Sequence, residues 1–395
     1  MKICHLITRM IVGGAQENTL YTIIGHLENG LEAVLVTGPS PGPEGRLLQK
    51  REISNLRIVL QPHLVRELNP CRDALAYLSL RRLFAREAFD IVHTHSSKAG
   101  VIGRLAARAA GVPVVVHTIH GQAFHKYEKW WRNRLFIFAE RVAARRCDRI
   151  YAVCRAMIDQ CVAANVAPEG KYRVVYSGMK LEPFFNAQPD MTLASELGIP
   201  PGAAVVGKIA RLFELKGYEY LLQAAPLIIA EVPNVRFLIV GDGAIRPAIE
   251  RQIRTMGLED HFVFAGLVAP AEIPKYTALM DVLVHLSLRE GLPRTIIQAH
   301  AGGKPAIGFA LDGTPEAIVD GETGYVCPPA DHRAVAAGVT ELLRNPERAR
   351  RMGEAGREHV RHRWDWRQMV DTLEQEYWEL LGEADAARPL PEQSR

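Results

Sequence analysis

Short runs rich in Val and Ile recur along almost the whole chain, each separated from the next by a stretch long enough for an amphipathic helix. In the first half these runs are KICHLIT, EAVLVTG, DIVHTH, VPVVVHTI, RIYAVC and YRVVYSG. In the second half they are AVVGKIAR, VRFLIVGDG, HFVFAG, DVLVHLS and KPAIGFA. Strands that are apolar on consecutive residues fit a sheet covered on both faces, and their alternation with helices is the mark of parallel β/α units. The expected fold class is therefore α/β, with two doubly wound, Rossmann-like parallel-sheet domains. The first is expected over residues 1–185 and the second over 186–362, because LEPFFNAQPD at 181–190 interrupts the periodicity with two prolines. Residues 363–382 carry Trp366, Met369, Val370, Leu373, Tyr377 and Leu380 at helical spacing, a helix free to lie on either domain or to cross back to the first. The polar residues 383–395 are expected to be disordered.

Composition excludes several classes. With 395 residues, 48% of them hydrophobic and 23% charged, the chain can bury sizeable cores. Its longest apolar runs fall far short of the roughly 20 residues of a membrane-spanning helix. The N-terminus enters a strand pattern without a signal-peptide layout, so the expected compartment is the cytoplasm. Six cysteines without a C-x-x-C pair indicate neither a disulfide framework nor a zinc site, and buried free thiols are expected.

Charge is divided unevenly. Residues 1–182 hold 26 Lys and Arg against 15 Asp and Glu, and the remainder holds 22 against 29. The first half should seek something anionic. No helix-turn-helix, zinc finger or aromatic-and-basic sheet motif supports nucleic acid as the partner. An anionic membrane surface or a phosphorylated acceptor fits better.

In open parallel sheets ligands bind beyond the carboxyl ends of the strands, so the strand-end loops carry the candidate residues. After the first strand, Gly13 and Gly14 precede a helix, a place where bare backbone amides can approach an anion; a plain turn would also use them. After the first strand of the second domain come Arg211 and Lys216, two cations suited to a diphosphate, although solvated surface charges would look the same. IVGDG ends the next strand with Gly241. In SLREGLPRTIIQAH, Glu290 follows the fourth strand, and the amides of Gly291 and Leu292 lead through Pro293 into a helix carrying Gln298. Such a corner offers a carboxylate for sugar hydroxyls beside amide donors for oxygens.

The stretch from Ser287 to Asp331, with the loops above in the same order, resembles the nucleotide-sugar site of the retaining glycosyltransferases of family 4, and the resemblance covers nearly the whole chain. It implies the GT-B fold, in which two Rossmann-like domains face a cleft, the first holding the acceptor and the second the nucleotide. Gly13 and Gly14 take the place of that family's N-terminal glycine loop near the donor diphosphate, and Arg211 and Lys216 that of its diphosphate-binding pair. Glu290 takes the place of the acid that contacts the donor sugar. Gln298 stands where the family has a second Glu, on the ribose. Glu316, in TPEAIVDGETGYVCP, falls in the matching downstream segment. DIVHTHSSKAGVIGRLAARAAGVPVVVHTIHGQAF resembles the acceptor-domain segment of bacterial members that extend polyprenol-linked oligosaccharides or build exopolysaccharide, and places His120 near the donor sugar. His93, His95 and His117 read as structural. The resemblance also implies transfer with retention and without a metal or other cofactor: Arg211, Lys216 and helix N-termini can neutralise the leaving diphosphate. A front-face reaction, in which the leaving phosphate helps deprotonate the acceptor hydroxyl, is the expected mechanism.

Residues 126–146 hold seven Lys or Arg against two Glu, interleaved with aromatic residues. One reading is a helix that packs Trp131, Leu135, Phe138 and Val142 on its own domain. The other sets Lys126, Lys129, Trp130 and Arg134 against anionic lipid, where a lipid-linked acceptor resides. The expected function is transfer of a hexose or N-acetylhexosamine from a nucleotide diphosphate sugar, UDP first among the bases, to a lipid-linked or polysaccharide acceptor at the cytoplasmic face of the inner membrane. The alternative, suggested by Gln298, is a catalytically weak nucleotide-sugar-binding or scaffolding protein of the same fold.

Overall fold

The computed structural model of the chain describes residues 1–40 and 55–386. Its first sheet has seven strands: β1 (Lys2–Ile7), β2 (Glu32–Thr37), β3 (Arg57–Leu60), β4 (Ile91–His95), β5 (Val114–Ile119), β6 (Arg149–Ala152) and β7 (Tyr172–Val174). They lie in the order β3-β2-β1-β4-β5-β6-β7, and every pairing is parallel. The second sheet has six: β8 (Val205–Ile209), β9 (Arg236–Val240), β10 (Phe262–Gly266), β11 (Val282–His285), β12 (Ala306–Phe309) and β13 (Gly324–Cys327). Their order, β10-β9-β8-β11-β12-β13, follows the same rule. In each sheet the chain winds outward from its first strand, returns, and winds the other way. The reversal falls between β1 and β4 in one sheet and between β8 and β11 in the other, the points at which doubly wound folds bind ligands.

Two strands are absent from the expectation. β3 leaves Arg57, Ile58 and Leu60 exposed at a sheet edge, so it lacks the continuous apolar run of its neighbours. β13 is four residues long, starts at Gly324 and ends next to Pro328. A side chain at Gly324 would run into the Ala306 carbonyl on β12, which explains the glycine and hides the strand from a reading based on β-branched residues.

Contacts divide the chain into two compact units, Met1–Met179 with the chain from Trp366 onward, and Lys180–Asp365. The last helix, Trp366–Ala386, belongs to the first unit. All six residues that set its apolar stripe are buried, packed with Ile3, Ile91, Val114, Val116 and Tyr151 over one face of the first sheet. It runs through residues 383–386, which the sequence reading gave to a disordered tail; residues 387–395 lie outside the described residues. Two polar anchors fix its register. The Tyr377 hydroxyl meets Nδ1 of His93, and Glu374 meets Nδ1 of His26 at 2.8 Å. In the second unit the helix Tyr218–Glu231 buries Tyr218, Leu221, Leu222, Ala225 and Ile228 in the core that contains Val206, Phe237, Val284 and Phe309. Five cysteines are buried, as expected; Cys71 is exposed, because it stands in the solvent-facing first turn of the helix Pro70–Glu87.

Tyr377→Phe keeps the ring and removes only the hydroxyl, so it leaves a fully buried imidazole nitrogen without its partner. The expected cost is about 2 kcal/mol, or roughly 4–8 °C in the melting temperature of the transition that reports the first unit. Differential scanning calorimetry checks it. A variant that melts with the wild type would show that this contact does not anchor the helix.

Candidate functional site

β8 and β11 are hydrogen-bonded neighbours, with Val282 opposite Val206 and Leu283 opposite Gly207, so the loops beyond their carboxyl ends lie side by side. The N–H of Leu288 donates to the Leu215 carbonyl at 2.8 Å and ties those loops together. The β8 loop is held in unusual backbone. Leu215 has φ 64° and Gly217 has φ 69°, and a Cβ at Gly217 would collide with the Leu286 carbonyl. A left-handed leucine is strained, and such strain is kept where the surrounding structure over-determines it.

This crossing brings Lys216 onto Glu290. The ammonium donates to Oε1 of the carboxylate, although the residues are 74 apart in sequence, and each side chain is 22% exposed. His285, at the end of β11, sits behind them with Nε2 3.5 Å from the same oxygen and Nδ1 3.2 Å from the Thr295 hydroxyl. Burial opposes the charge on Glu290, but Lys216 and His285 outweigh it and hold the carboxyl below its ordinary range. Burial draws His285 down to about 4, so it is neutral at physiological pH. The corner itself is clamped from outside: the Glu290 N–H donates to Oδ2 of Asp312 at 2.6 Å, and the Gly313 N–H donates to the Gly291 carbonyl at 3.0 Å.

Gly291, Leu292 and Pro293 are buried, and the helix that follows runs Arg294–Ala301. Pro293 stands at the helix cap, just outside the first turn where the sequence reading put it. Gln298 is half-buried on this helix, and Glu316 lies on the short helix Thr314–Ala317 next to the clamp. Arg211 is exposed, its guanidinium 5.0 Å from the Phe213 ring centroid. Gly241 is explained by packing: at φ 138° a Cβ would strike the Ala210 carbonyl, and its N–H already donates to Gly266 at 2.8 Å.

In the first unit, Gly14 opens the helix Gly14–Glu28 and Gly13 precedes it. Gly13 has φ 174°, extended backbone that any residue adopts, so the turn does not require glycine there. His120 follows β5, and its Nε2 lies 3.0 Å from Nδ1 of His95, whose Nε2 lies 3.2 Å from Nδ1 of His5. The three rings stack at centroid distances of 5.3 and 5.5 Å. His93 is held by Tyr377 and by Thr118 at 2.6 Å, and His117 by the Thr94 carbonyl at 3.0 Å. Burial keeps His5, His93, His95 and His117 far below the usual imidazole range, hence neutral. Among the described residues, His5, His93 and His95 form the group whose nitrogens, all within 4.8 Å of one another, could collect a metal ion. Their spacings are equally those of hydrogen-bonded and stacked rings.

The basic segment forms the helix Trp130–Ala144. Three of the four side chains expected to pack stay exposed, Trp131 at 52%, Leu135 at 49% and Phe138 at 61%, with Trp130 at 70%, while Val142 is half-buried. Only Ala143 and Ala144 are buried along it. Lys126, Lys129 and Arg134 are exposed at the same face or its N-terminal end.

The sequence reading missed His285, Asp312 and His5. His285 and His5 are polar residues inside apolar strand runs, a pattern that marks a buried polar group in need of partners. Asp312 has φ 50° before Gly313 and carries no motif of its own.

Residues 12–183 match the profile of Glycosyltransferase Family 4, and residues 192–359 that of Glycosyl transferases group 1. Over 263 residues the chain is 33% identical to the UDP-Gal:alpha-D-GlcNAc-diphosphoundecaprenol alpha-1,3-galactosyltransferase of Escherichia coli, covering 66% of this chain and 67% of that one. It is 28% identical to the N-acetyl-alpha-D-glucosaminyl L-malate synthase of Bacillus anthracis, covering 79% and 80%. The fold is similar to that of HepE of Anabaena, solved in complex with UDP-glucose, with a TM-score of 0.80 at 21% identity over 97% of this chain and 100% of that one. Two doubly wound sheets, family matches along both units and a relative at this identity lead to one conclusion: the chain is a glycosyltransferase of family 4, with the GT-B fold.

Proposed function

We propose that this enzyme moves a hexose or N-acetylhexosamine from a UDP-sugar to a lipid-linked oligosaccharide or polysaccharide acceptor, with retention of anomeric configuration and without an essential metal. The observation that carries the proposal is the meeting of Lys216 and Glu290 at the β8–β11 reversal, beside Arg211 on the same loop. A leaving diphosphate needs fixed positive charge where its own charge develops, and Arg211 and Lys216 supply it. Glu290, held ionised, accepts from hydroxyls of the transferred sugar. Gln298 takes the nucleoside end with one acceptor oxygen in place of a carboxylate's two. The choice of UDP is supported by the UDP-glucose complex of HepE, and the choice of a lipid-linked acceptor by the diphosphoundecaprenol named for the E. coli relative.

The exposed side of the helix Trp130–Ala144 is read as the surface that meets the membrane. Its Trp and Phe rings can enter the headgroup region while Lys126, Lys129 and Arg134 face anionic lipid. No helix among the described residues is long and apolar enough to cross a membrane.

Sugar transfer from UDP-, GDP- and ADP-sugars should be detectable with the UDP donor, and Arg211→Ala or Lys216→Ala should lower turnover about a hundredfold, the loss of roughly 3 kcal/mol of contact to the leaving group. Gln298→Glu should tighten UDP binding several-fold with little change in kcat, whereas Glu290→Gln should cut kcat far more than affinity. Wild-type turnover in both cation variants would remove the diphosphate assignment. UDP-sugar binding without any sugar release, with or without acceptor, would favour the scaffolding alternative.

Replacing Lys126, Lys129 and Arg134 together with Glu should abolish sedimentation with phosphatidylglycerol vesicles while sparing UDP binding, and salt should weaken the wild-type interaction in the same direction. Unchanged sedimentation would leave the exposed rings without a lipid role.

A further inference from the structure

Lys208 is a lysine in the middle of β8, the strand that leads into the Arg211 loop, and it is 1% exposed. Its Nζ lies 4.8 Å from the centroid of the Tyr218 ring, whose hydroxyl is occupied by the Ala210 carbonyl at 2.9 Å. Among the described residues no carboxylate lies within 4 Å of that ammonium, although unpaired lysines are almost never fully buried. Neither the Glu290 corner nor the diphosphate pair accounts for it.

The pairing of Lys216 with Glu290 poses a problem that this lysine answers. Lys216 and Glu290 are assigned opposite parts of the donor, yet each is engaged with the other. A diphosphate that draws Lys216 away leaves Glu290 as a mostly buried carboxylate without its cation, which is costly unless another takes its place. The charged and titratable groups around Lys208 are few. The Tyr218 ring lies against it from the helix after the loop, and Lys216, Glu219, Glu290 and His285 are the charged and titratable groups that act on it through space. Tyr218 is kept protonated by burial and His285 is neutral at physiological pH.

Resting on the proposed donor reading, we infer that Lys208 is the reserve cation of this pocket: it is charged when the donor is bound and holds Glu290 while Lys216 turns to the diphosphate. The charge balances by uptake of one proton from solvent. Burial, with repulsion from Lys216, draws the Lys208 ammonium down to about 7, against the opposing pull of Glu219 and Glu290. Above that pH it is largely neutral while Lys216 stays on Glu290. Departure of Lys216 and arrival of a polyanion both favour the charged form, so the bound state titrates higher. Binding near pH 8 therefore takes up a proton, and binding near pH 6, where Lys208 is already charged, takes up none.

Calorimetric titration of UDP at pH 8 in Tris and in HEPES, whose ionisation enthalpies differ, reads this directly. Wild type should take up about one proton per UDP at pH 8 and none at pH 6, where the only exchange is release from the UDP phosphate, whose own second ionisation lies at about 6. Lys208→Met, which fills the same space without charge, should lose the uptake and bind UDP about tenfold more weakly. Lys208→Arg, charged throughout, should recover affinity without uptake. The wild-type pH series stands alone if a variant does not fold. Tight UDP binding by wild type with no proton uptake, or the same uptake by Lys208→Met, would overturn the inference and leave the donor assignment intact. Failure of wild type to bind UDP would overturn the donor assignment, and the inference with it.

Discussion

The Lys216–Glu290 ion pair is the contact on which the second unit's site depends. Its members come from the two strands that flank the reversal of strand order, so the pair exists only because β8 and β11 are neighbours. Lys216 helps hold Glu290 ionised, and removing either partner would leave the other uncompensated in a partly dry site. The surrounding backbone serves the same end. The left-handed Leu215 and Gly217 turn the first loop onto the second, and Asp312 and Gly313 pin the corner from the far side.

The first unit follows a different logic. A row of imidazoles reaches from His120 through His95 to His5, the last two kept neutral by burial, and the last helix covers the sheet with Tyr377 on His93. Here polarity is buried by mutual hydrogen bonding rather than by charge pairing, which costs less in a low-dielectric interior. The basic helix Trp130–Ala144 is tied down by Glu140 on the buried Arg104 and leaves Trp130, Trp131 and Phe138 exposed.

Much of this was legible in the sequence because parallel strands covered on both faces announce themselves as apolar runs, and because ligand loops must follow their carboxyl ends. Eleven of the thirteen strands were read that way. The edge strand β3 and the glycine-led β13 were not, since neither has the composition of a doubly covered strand. The stripe of the last helix was read residue by residue, from Trp366 to Leu380. What the sequence could not show is pairing at a distance. Lys216 and Glu290 were each singled out, but nothing local says that they touch, and nothing local names Asp312 as the clamp or gives Gly241 a packing role. The helix Trp130–Ala144 misled one reading for the opposite reason: an apolar stripe predicts burial, and here Trp131, Leu135 and Phe138 remain exposed while only Val142 is half-buried.

The account rests on a nucleotide diphosphate sitting at the β8–β11 reversal and separating Lys216 from Glu290. A crystal structure of the protein with UDP bound tests that most directly. It should place diphosphate oxygens within about 3 Å of the Arg211 guanidinium and the Lys216 ammonium, with Lys216 no longer on the Glu290 carboxylate. A diphosphate seated elsewhere, with the Lys216–Glu290 pair intact, would contradict the account.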